Sequence, residues 1–183
     1  QNFESAFEYS KQALEMAQRL NLGDSATSSE ALYVMSGSLF SRGKYQEALN
    51  LLTQSLEIAK KVYQSPHDKI VTKLNSMGTL LAGLKRPEES LDCYLQAYEM
   101  NLKLYPKDHL VIAKFGSNIG VLLYRMKRYS EAKSYLMKAI EVLIKHYSLD
   151  HSESKYVLDA LLSTMQELGE VEKYHEYIKS LKK

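Results

Sequence analysis

A segment of 21 residues recurs in this sequence at a constant step of 42 residues, and this repetition constrains the fold more than any other feature. The segment from Gly43 to Tyr63, GKYQEALNLLTQSLEIAKKVY, is followed by a similar segment from Lys85 to Tyr105 and by another from Lys127 to Tyr147. The same frame extends back to residues 1–21 without insertion or deletion. A repeat this strict predicts a stack of equivalent units rather than a single globular core.

Each repeat has the apolar spacing of two helices. In one example, Leu32, Met35 and Leu39 recur at steps of three and four, which places them on one side of a helix that runs from about Ser28 to Arg42. Gly43 is predicted to end that helix, and the short loop places the next helix antiparallel and adjacent. The sequence therefore predicts an all-α array of antiparallel helix pairs with about nine helices.

The repeat frame also predicts the organisation of the array. We expect one array over residues 1–183, in which residues 1–21 form the second helix of a truncated repeat. Residues 22–63, 64–105 and 106–147 are full repeats, and residues 148–183 are a C-terminal repeat with a capping helix. Because the chain starts at Gln1, without Met and already in helical phase, we interpret it as part of a longer protein.

Polar residues at the predicted helix starts are expected to cap the helices. Ser28 or Ser29 is the predicted cap of one first helix, and Asp108 and Asp150 are the predicted caps of two others. Histidines share one position of the repeat, but equivalent positions in stacked helix pairs lie about 10 Å apart and cannot converge on one metal ion. These residues are His67, His109 and His151.

Small residues at fixed positions carry a family resemblance. Gly78 or Gly120 is followed twelve residues later by Ser90 or Ala132, then by Tyr94 or Leu136, and then by Ala97 or Ala139. This pattern resembles the tetratricopeptide repeat (TPR). The 42-residue period, with Asp-His at the start of first helices, resembles the longer kinesin-light-chain type. The resemblance implies a right-handed superhelical solenoid that binds a peptide or helix in its concave groove. The light-chain asparagine pairs are only partly present, as Asn75 and Asn118, so a cargo preference is not carried over.

Several functions are disfavoured by composition and motifs. The 24 basic and 22 acidic residues leave a net charge of +2, which gives no reason to expect a nucleic acid partner. No apolar run approaches the roughly 20 residues of a membrane helix. The single cysteine, Cys93, cannot form an internal disulfide, which indicates a reducing compartment, and we expect a cytoplasmic location. We expect the Cys93 side chain to have a packing role. His175-Glu176 matches the first half of a zinc-protease helix motif, but Lys179 stands where that motif requires its second histidine. We therefore predict no enzyme, no catalytic residue, no metal and no cofactor.

The first-helix positions that are not needed for packing are predicted to line the groove. Asn75 and Asn118 can hydrogen-bond an extended peptide, and Lys114 and Arg125 favour a carboxylate. An ordinary solvated helix face is the alternative interpretation. The predicted groove residues are Tyr33, Phe40, Thr72, Asn75, Thr79, Lys114, Asn118, Val121, Tyr124, Arg125 and Tyr156.

We consider three functions. The leading hypothesis is a non-catalytic protein–protein interaction scaffold or adaptor that binds a protein or peptide. The second is a regulatory or sensor region of a larger signalling or enzymatic protein. The third is a self-associating structural module, which would use the apolar end at Phe3 and Phe7 or the tyrosine-bearing convex face.

Overall fold

Helices account for all of the regular secondary structure in the described chain. The computed structural model describes the backbone of residues 2–181 and the side chains of residues 4–181. Within that range there are nine α-helices and no strand, as predicted: α1 (Asn2–Arg19), α2 (Ala26–Ser41), α3 (Tyr45–Val62), α4 (Asp68–Gly83), α5 (Pro87–Leu104), α6 (Leu110–Arg125), α7 (Tyr129–His146), α8 (Ser152–Glu167) and α9 (Val171–Leu181). We call α2, α4, α6 and α8 first helices, and the others second helices.

The chain forms two compact units, unit 1 (Gln1–Met100) and unit 2 (Asn101–Lys183). In unit 1, α1 packs on α2, α2 on α3, and α3 on α4. Two buried serines join α2 to α3: the Ser29 hydroxyl donates to the Ser55 carbonyl oxygen at 2.8 Å, and the Ser55 hydroxyl donates to the Ser29 carbonyl oxygen at 2.6 Å. Because each hydroxyl satisfies a buried backbone oxygen, these serines are compatible with a tightly packed helix pair.

Unit 2 is built around one apolar cluster. In this unit α6 packs on α7, α7 on α8, and α8 on α9. Leu136, Ile140 and Leu161 are fully buried at the centre of the cluster. The last helix, α9, has no fully buried residue, and it covers the cluster with partly buried side chains that include Tyr174 and Tyr177. Its remaining positions are mostly charged and exposed, so α9 has one apolar and one solvated side.

Two glycines permit close contact between a first helix and the second helix that follows it. A Cβ atom built on Gly78 would lie 2.7 Å from Cε1 of Tyr94, and one built on Gly120 would lie 2.6 Å from Cγ of Leu136. Both distances are shorter than van der Waals contact, so neither position has room for a side chain unless its neighbour moves. The ring of Tyr94 and the side chain of Leu136 fill the space that these glycines leave.

The turn after each first helix contains one residue in the left-handed backbone region. This residue is Gly43, Lys85, Lys127 or Gly169, with φ of 75°, 59°, 62° and 69° respectively. The sequence predicts the stop at Gly43, but it shows lysine at two of the four equivalent positions. Those lysines adopt a conformation that costs an L-residue about 1–2 kcal/mol.

The helix caps differ from those predicted. The Nδ1 atoms of three histidines each accept a hydrogen bond from the backbone N–H two residues later, at 3.1 Å for His67, 3.2 Å for His109 and 3.3 Å for His151. The predicted caps Asp108 and Asp150 are therefore wrong, because each lies one residue before the capping histidine. Each imidazole also stacks on a tyrosine four residues earlier, with ring centroids 4.0–4.6 Å apart.

The cap of α2 lies earlier than expected. Ser25 is the N-cap residue, and its side-chain oxygen accepts a hydrogen bond from the backbone N–H of Ser28 at 3.2 Å. Ser28 and Ser29 are buried inside the helix, so their assignment as caps is wrong. The helix begins two residues before the predicted start because Ser25 adopts an extended backbone and can cap from there.

Candidate binding surface

The predicted groove residues lie on the first helices, and none of them is fully buried. Within unit 1 they belong to α2 and α4, and within unit 2 to α6 and α8. Face 1 consists of Tyr33, Phe40, Thr72, Asn75 and Thr79. Face 2 consists of Lys114, Asn118, Val121, Tyr124, Arg125 and Tyr156.

Tyr33 on face 1 is fixed from two directions. Its hydroxyl lies 3.2 Å from Oγ of Ser76, which joins α2 to α4. The Nζ atom of Lys73 lies 4.9 Å from the centroid of the Tyr33 ring, a cation–π distance. Because the ring is held at its edge and on one face, its position is set before any ligand arrives.

Lys73 is completely buried and is ion-paired. Its side chain has 0% exposure, and its Nζ atom lies 2.6 Å from Oε1 of Glu30. Lys69 approaches the other oxygen of the same carboxylate at 3.2 Å. Burial acts to raise the pKa of Glu30, but the hydrogen bonds and positive charges of Lys73 and Lys69 outweigh it and lower that pKa below its ordinary value. The carboxylate is therefore ionised, and the buried ammonium is compensated.

A cavity of about 240 Å³ opens between α2 and α4, and we call it cavity 1. It brings together three predicted residues, Tyr33, Phe40 and Thr79, whereas Thr72 and Asn75 lie outside its lining. The Thr79 hydroxyl is 3.0 Å from the hydroxyl of Tyr94. The Thr72 hydroxyl donates to the carbonyl oxygen of Asp68 at 2.9 Å. Thr72 is thus engaged with its own helix, and its role in binding stays a prediction.

Face 2 carries a depression whose lining includes charged side chains. Lys114, Asn118 and Tyr156 line a cavity of about 280 Å³ together with Ser152 and Glu153. Lys114 and Tyr156 are exposed, and Asn118 is half-buried. The positive charge of Lys114 lies on α6 and the negative charge of Glu153 on α8, so this cavity is mixed in charge rather than uniformly basic.

The remaining face 2 residues lie farther along α6 and outside that cavity lining. Val121 is partly buried and packs against the apolar cluster of unit 2, so only part of its side chain is exposed on face 2. The ring of Tyr124 lies 5.7 Å from the ring of Tyr129. Arg125 is exposed at the end of the helix. Among residues 4–181, no acidic group lies within ion-pair distance of Arg125 or of Lys114.

Sequence reasoning missed the buried pair of Lys73 and Glu30. The repeat contained a signal for it, because the positions equivalent to Lys73 are Ala31, Phe115 and Val157, all apolar and all buried. A lysine in an otherwise buried apolar position requires a partner. The partner Glu30 belongs to the previous first helix, so pairing the two requires knowledge of how α2 lies against α4.

Other kinds of site have little support within the described residues. No group of three or more His, Cys, Asp or Glu side chains among residues 4–181 is arranged to hold a metal ion. The pKa of the buried Cys93 thiol is raised, chiefly by burial and then by the charge of Asp92, so its reactive thiolate form is disfavoured. None of the helices in this part of the chain combines the length and the apolar character needed to cross a membrane.

Repeated helix pairs with glycine-mediated contacts define a helical-repeat protein. Comparison with known families identifies the kind of repeat. The family model for the tetratricopeptide repeat matches residues 1–61 and 69–145. The chain therefore belongs to the tetratricopeptide-repeat family, and its repeats have a period of 42 residues. This repeat is a protein–protein interaction module. No significant sequence relative was found among curated proteins.

Solved structures share the fold at low sequence identity. BtubC (BKLC) from P. vanneervenii superposes with a TM-score of 0.84 at 18% identity, over 99% of this chain and 72% of that one. A kinesin-light-chain candidate of Podosopora anserina with nearly identical TPR-like repeats gives 0.81 at 15% identity, over 98% and 85%. MamA gives 0.70 at 13% identity, over 98% and 86%. These similarities establish a TPR-like solenoid fold.

Proposed function

We propose that this chain is a non-catalytic scaffold that binds an extended peptide or a helix of a partner protein on its first helices, with face 1 and face 2 each forming a binding surface within its own unit. The observation that carries the proposal is the pair of exposed cations on α6, Lys114 and Arg125, which have no acidic partner within residues 4–181. They stand beside amide, hydroxyl and aromatic groups on the surface of a protein-interaction repeat. Such cations are suited to a carboxylate of the bound segment.

Hydrogen bonding supports the same assignment. Asn75 and Asn118 are half-buried on first helices, and each amide can both donate to and accept from a peptide backbone. Glu153 lies in the same cavity as Lys114, so a bound carboxylate is expected on the α6 side of face 2. The role of each face residue, the absence of catalysis and a cytoplasmic location are parts of this proposal.

The test uses a phage-displayed random dodecapeptide library as the probe. The wild-type chain is compared with a variant that carries Asn75→Ala, Lys114→Ala, Asn118→Ala and Arg125→Ala. We expect the wild type to enrich defined sequences and the variant to lose them, with unchanged helicity and melting temperature. A matched control changes four exposed residues of second helices to Ala: Asn50, Lys60, Gln96 and Lys138. Equal enrichment by the two variants would refute binding on the first-helix faces.

A specific observation favours self-association as a second candidate. Tyr9, Met16 and Leu20 on α1 and just beyond it are 72%, 64% and 62% exposed. Ala13, on the same side of α1, is partly exposed, whereas its repeat equivalent Ser55 is 0% exposed. On this side, α1 is therefore more exposed at Ala13 than α3 is at Ser55. Phe7 is half-buried on the other side of α1, where Cζ of Arg42 lies 5.6 Å from its ring centroid, and the side chain of Phe3 lies outside the described residues.

Light scattering over a range of concentrations separates this candidate from a monomer. Self-association through α1 predicts a mass that rises with concentration and falls back to the monomer value in Met16→Lys. The control Leu102→Lys changes an exposed apolar residue of α5 and is expected to have no effect. A constant monomer mass for the wild type would exclude the self-association.

A further inference from the structure

Gly37, which lines cavity 1, occupies a position that has a side chain in the other repeats. The equivalent residues, at steps of 42, are Thr79, Val121 and Ser163. A Cβ atom built on Gly37 would have no heavy atom within 4 Å, so the space above this glycine is open. Glycine inside a helix costs about 1 kcal/mol relative to alanine, and here it leaves a recess between α2 and α4.

The recess has an apolar floor and a hydroxyl-bearing edge. Val34, Phe40, Leu52 and Leu80 contribute apolar surface, and none of the described residues that line the cavity is acidic or basic. An apolar cavity of about 150 Å³ in another protein holds benzene. A volume of about 240 Å³ is therefore sufficient for the side chain of Leu, Met or Phe. The hydroxyl groups of the lining belong to Tyr33, Ser36, Ser76 and Thr79.

Tyr33, on one side of the recess, is positioned by contacts within unit 1. Tyr33 is held by the hydroxyl of Ser76 at 3.2 Å and by the ammonium group of Lys73 at 4.9 Å from its ring centroid. Glu30 in turn fixes Lys73 at 2.6 Å, and that lysine is completely buried. A pre-formed pocket binds more tightly because its side chains lose little freedom when the ligand enters.

We propose that cavity 1 anchors one Leu, Met or Phe side chain from an extended segment of the partner protein. This inference rests on the proposed function and adds the chemistry that face 1 selects. Charge decides the class of residue, because none of the described residues that line cavity 1 is charged and the buried Lys73 beside Tyr33 is already paired with Glu30. A charged side chain in this lining would lose its hydration without gaining a partner, whereas a neutral apolar one would bury surface favourably.

The experiment fills the recess without disturbing the fold. In Gly37→Leu the new side chain projects into cavity 1, where it meets no existing atom at its Cβ. Gly83→Leu is the matched control: Gly83 also lies in a first helix, and a Cβ atom built there would likewise have no heavy atom within 4 Å, yet Gly83 does not line the cavity. The random dodecapeptide library is selected against the wild type and both variants, and melting temperatures verify that each variant is folded.

We expect the wild type and Gly83→Leu to enrich peptides that share one bulky apolar residue, and Gly37→Leu to lose them. In a synthetic peptide of the selected sequence, changing that residue to Ala should weaken binding about 10–200-fold, and changing it to Asp should weaken it further. Gly37→Ala, with a smaller side chain, should give an intermediate reduction.

Two results would overturn the anchor and separate its failure from that of the scaffold. If Gly37→Leu retains the selected peptides while the fourfold Asn75, Lys114, Asn118 and Arg125 variant loses them, cavity 1 is not the anchor but the first-helix faces do bind. If the wild type enriches no sequence at all, both the anchor and the proposed function fail.

Discussion

Gly37 and Gly78 are both interior residues of first helices, but a methyl group would meet different surroundings at the two positions. At Gly78 a Cβ atom would lie 2.7 Å and 2.8 Å from two atoms of the Tyr94 ring. That ring cannot easily move away, because its hydroxyl is 3.0 Å from the hydroxyl of Thr79. At Gly37 the same atom would enter open space.

The two alanine substitutions are therefore predicted to have opposite signs. Gly78→Ala should lower the free energy of unfolding by about 1–3 kcal/mol, because overpacking exceeds the gain in helix propensity. Gly37→Ala should raise it by up to about 1 kcal/mol, since only the propensity gain remains. Urea unfolding followed by circular dichroism measures both. Equal effects at the two positions would show that the contact with Tyr94 does not restrict the site.

Tyr177 is a residue whose polar group is poorly accommodated. Its hydroxyl oxygen is buried in unit 2 and has no hydrogen-bond partner among the described residues. Burial, followed by the negative charge of Glu141, raises the pKa of Tyr177 to about 12. A group whose pKa is raised by folding stabilises the native state below its unfolded value and loses that contribution as the pH rises through the folded value.

Removing this hydroxyl should help unit 2. Tyr177→Phe is predicted to raise the free energy of unfolding by about 1 kcal/mol at pH 7, because an unpaired buried polar group disappears. In the wild type, stability should also decline between pH 10 and about pH 12, and Tyr177→Phe should lack that part of the decline. Urea midpoints at pH 7 and about pH 11 test both statements. A less stable phenylalanine variant would indicate that the hydroxyl has a partner in solution.

At the scale of the helices, the left-handed turn residues are the clearest source of strain. Lys127 has φ of 62° where the equivalent Gly43 has 75° and Gly169 has 69°. Lysine is disfavoured in this region because its Cβ approaches the following carbonyl oxygen, and glycine is not.

Lys127→Gly is therefore expected to stabilise the turn between α6 and α7 by about 1 kcal/mol, even though glycine is more flexible in the unfolded chain. The control Lys138→Gly places glycine at an exposed position inside α7, where it should instead cost about 1 kcal/mol. Thermal unfolding measures both. If both variants were destabilised, the turn would not be strained by its lysine.

The helices show where sequence reasoning succeeded and where it stopped. Apolar spacing and the 42-residue step predict the number and order of helices, because both depend on local periodicity. They do not decide which of two adjacent polar residues caps a helix. Asp150 and His151 are both suitable, and the stacking of His151 on Tyr147 at 4.0 Å places the imidazole at the cap. The face residues were predicted from helical phase, and their role stays a prediction. Cavity 1 could not be predicted, because the open space at Gly37 depends on how α2 and α4 pack.

Across the whole chain, carboxylates that are more acidic when folded link stability to pH. Burial acts to raise the pKa of Glu30, but Lys73 and Lys69 outweigh it and lower that pKa. Hydrogen bonds from Lys133 and then Lys173 lower the pKa of Glu170. Arginine partners three residues away lower the pKa of Glu89 and Glu131 in the same way. A carboxyl group whose pKa is lowered by folding stabilises the protein above the unfolded value of 4.5 and loses this contribution as the pH falls through the folded value.

The chain should therefore keep these contributions in full at pH 6 and lose them progressively below about pH 4.5, with both units affected because Glu30 lies in unit 1 and Glu170 in unit 2. Urea midpoints at pH 6 and pH 3.5 give the size of the loss. Glu30→Gln and Glu170→Gln should each lower stability at pH 6 and reduce the difference between the two pH values, because glutamine cannot be protonated in this range. Gln54→Ala, an exposed neutral change on α3, is the control and should leave that difference unaltered. If both glutamine variants showed the wild-type difference, the lysine partners would not be responsible for the acid sensitivity.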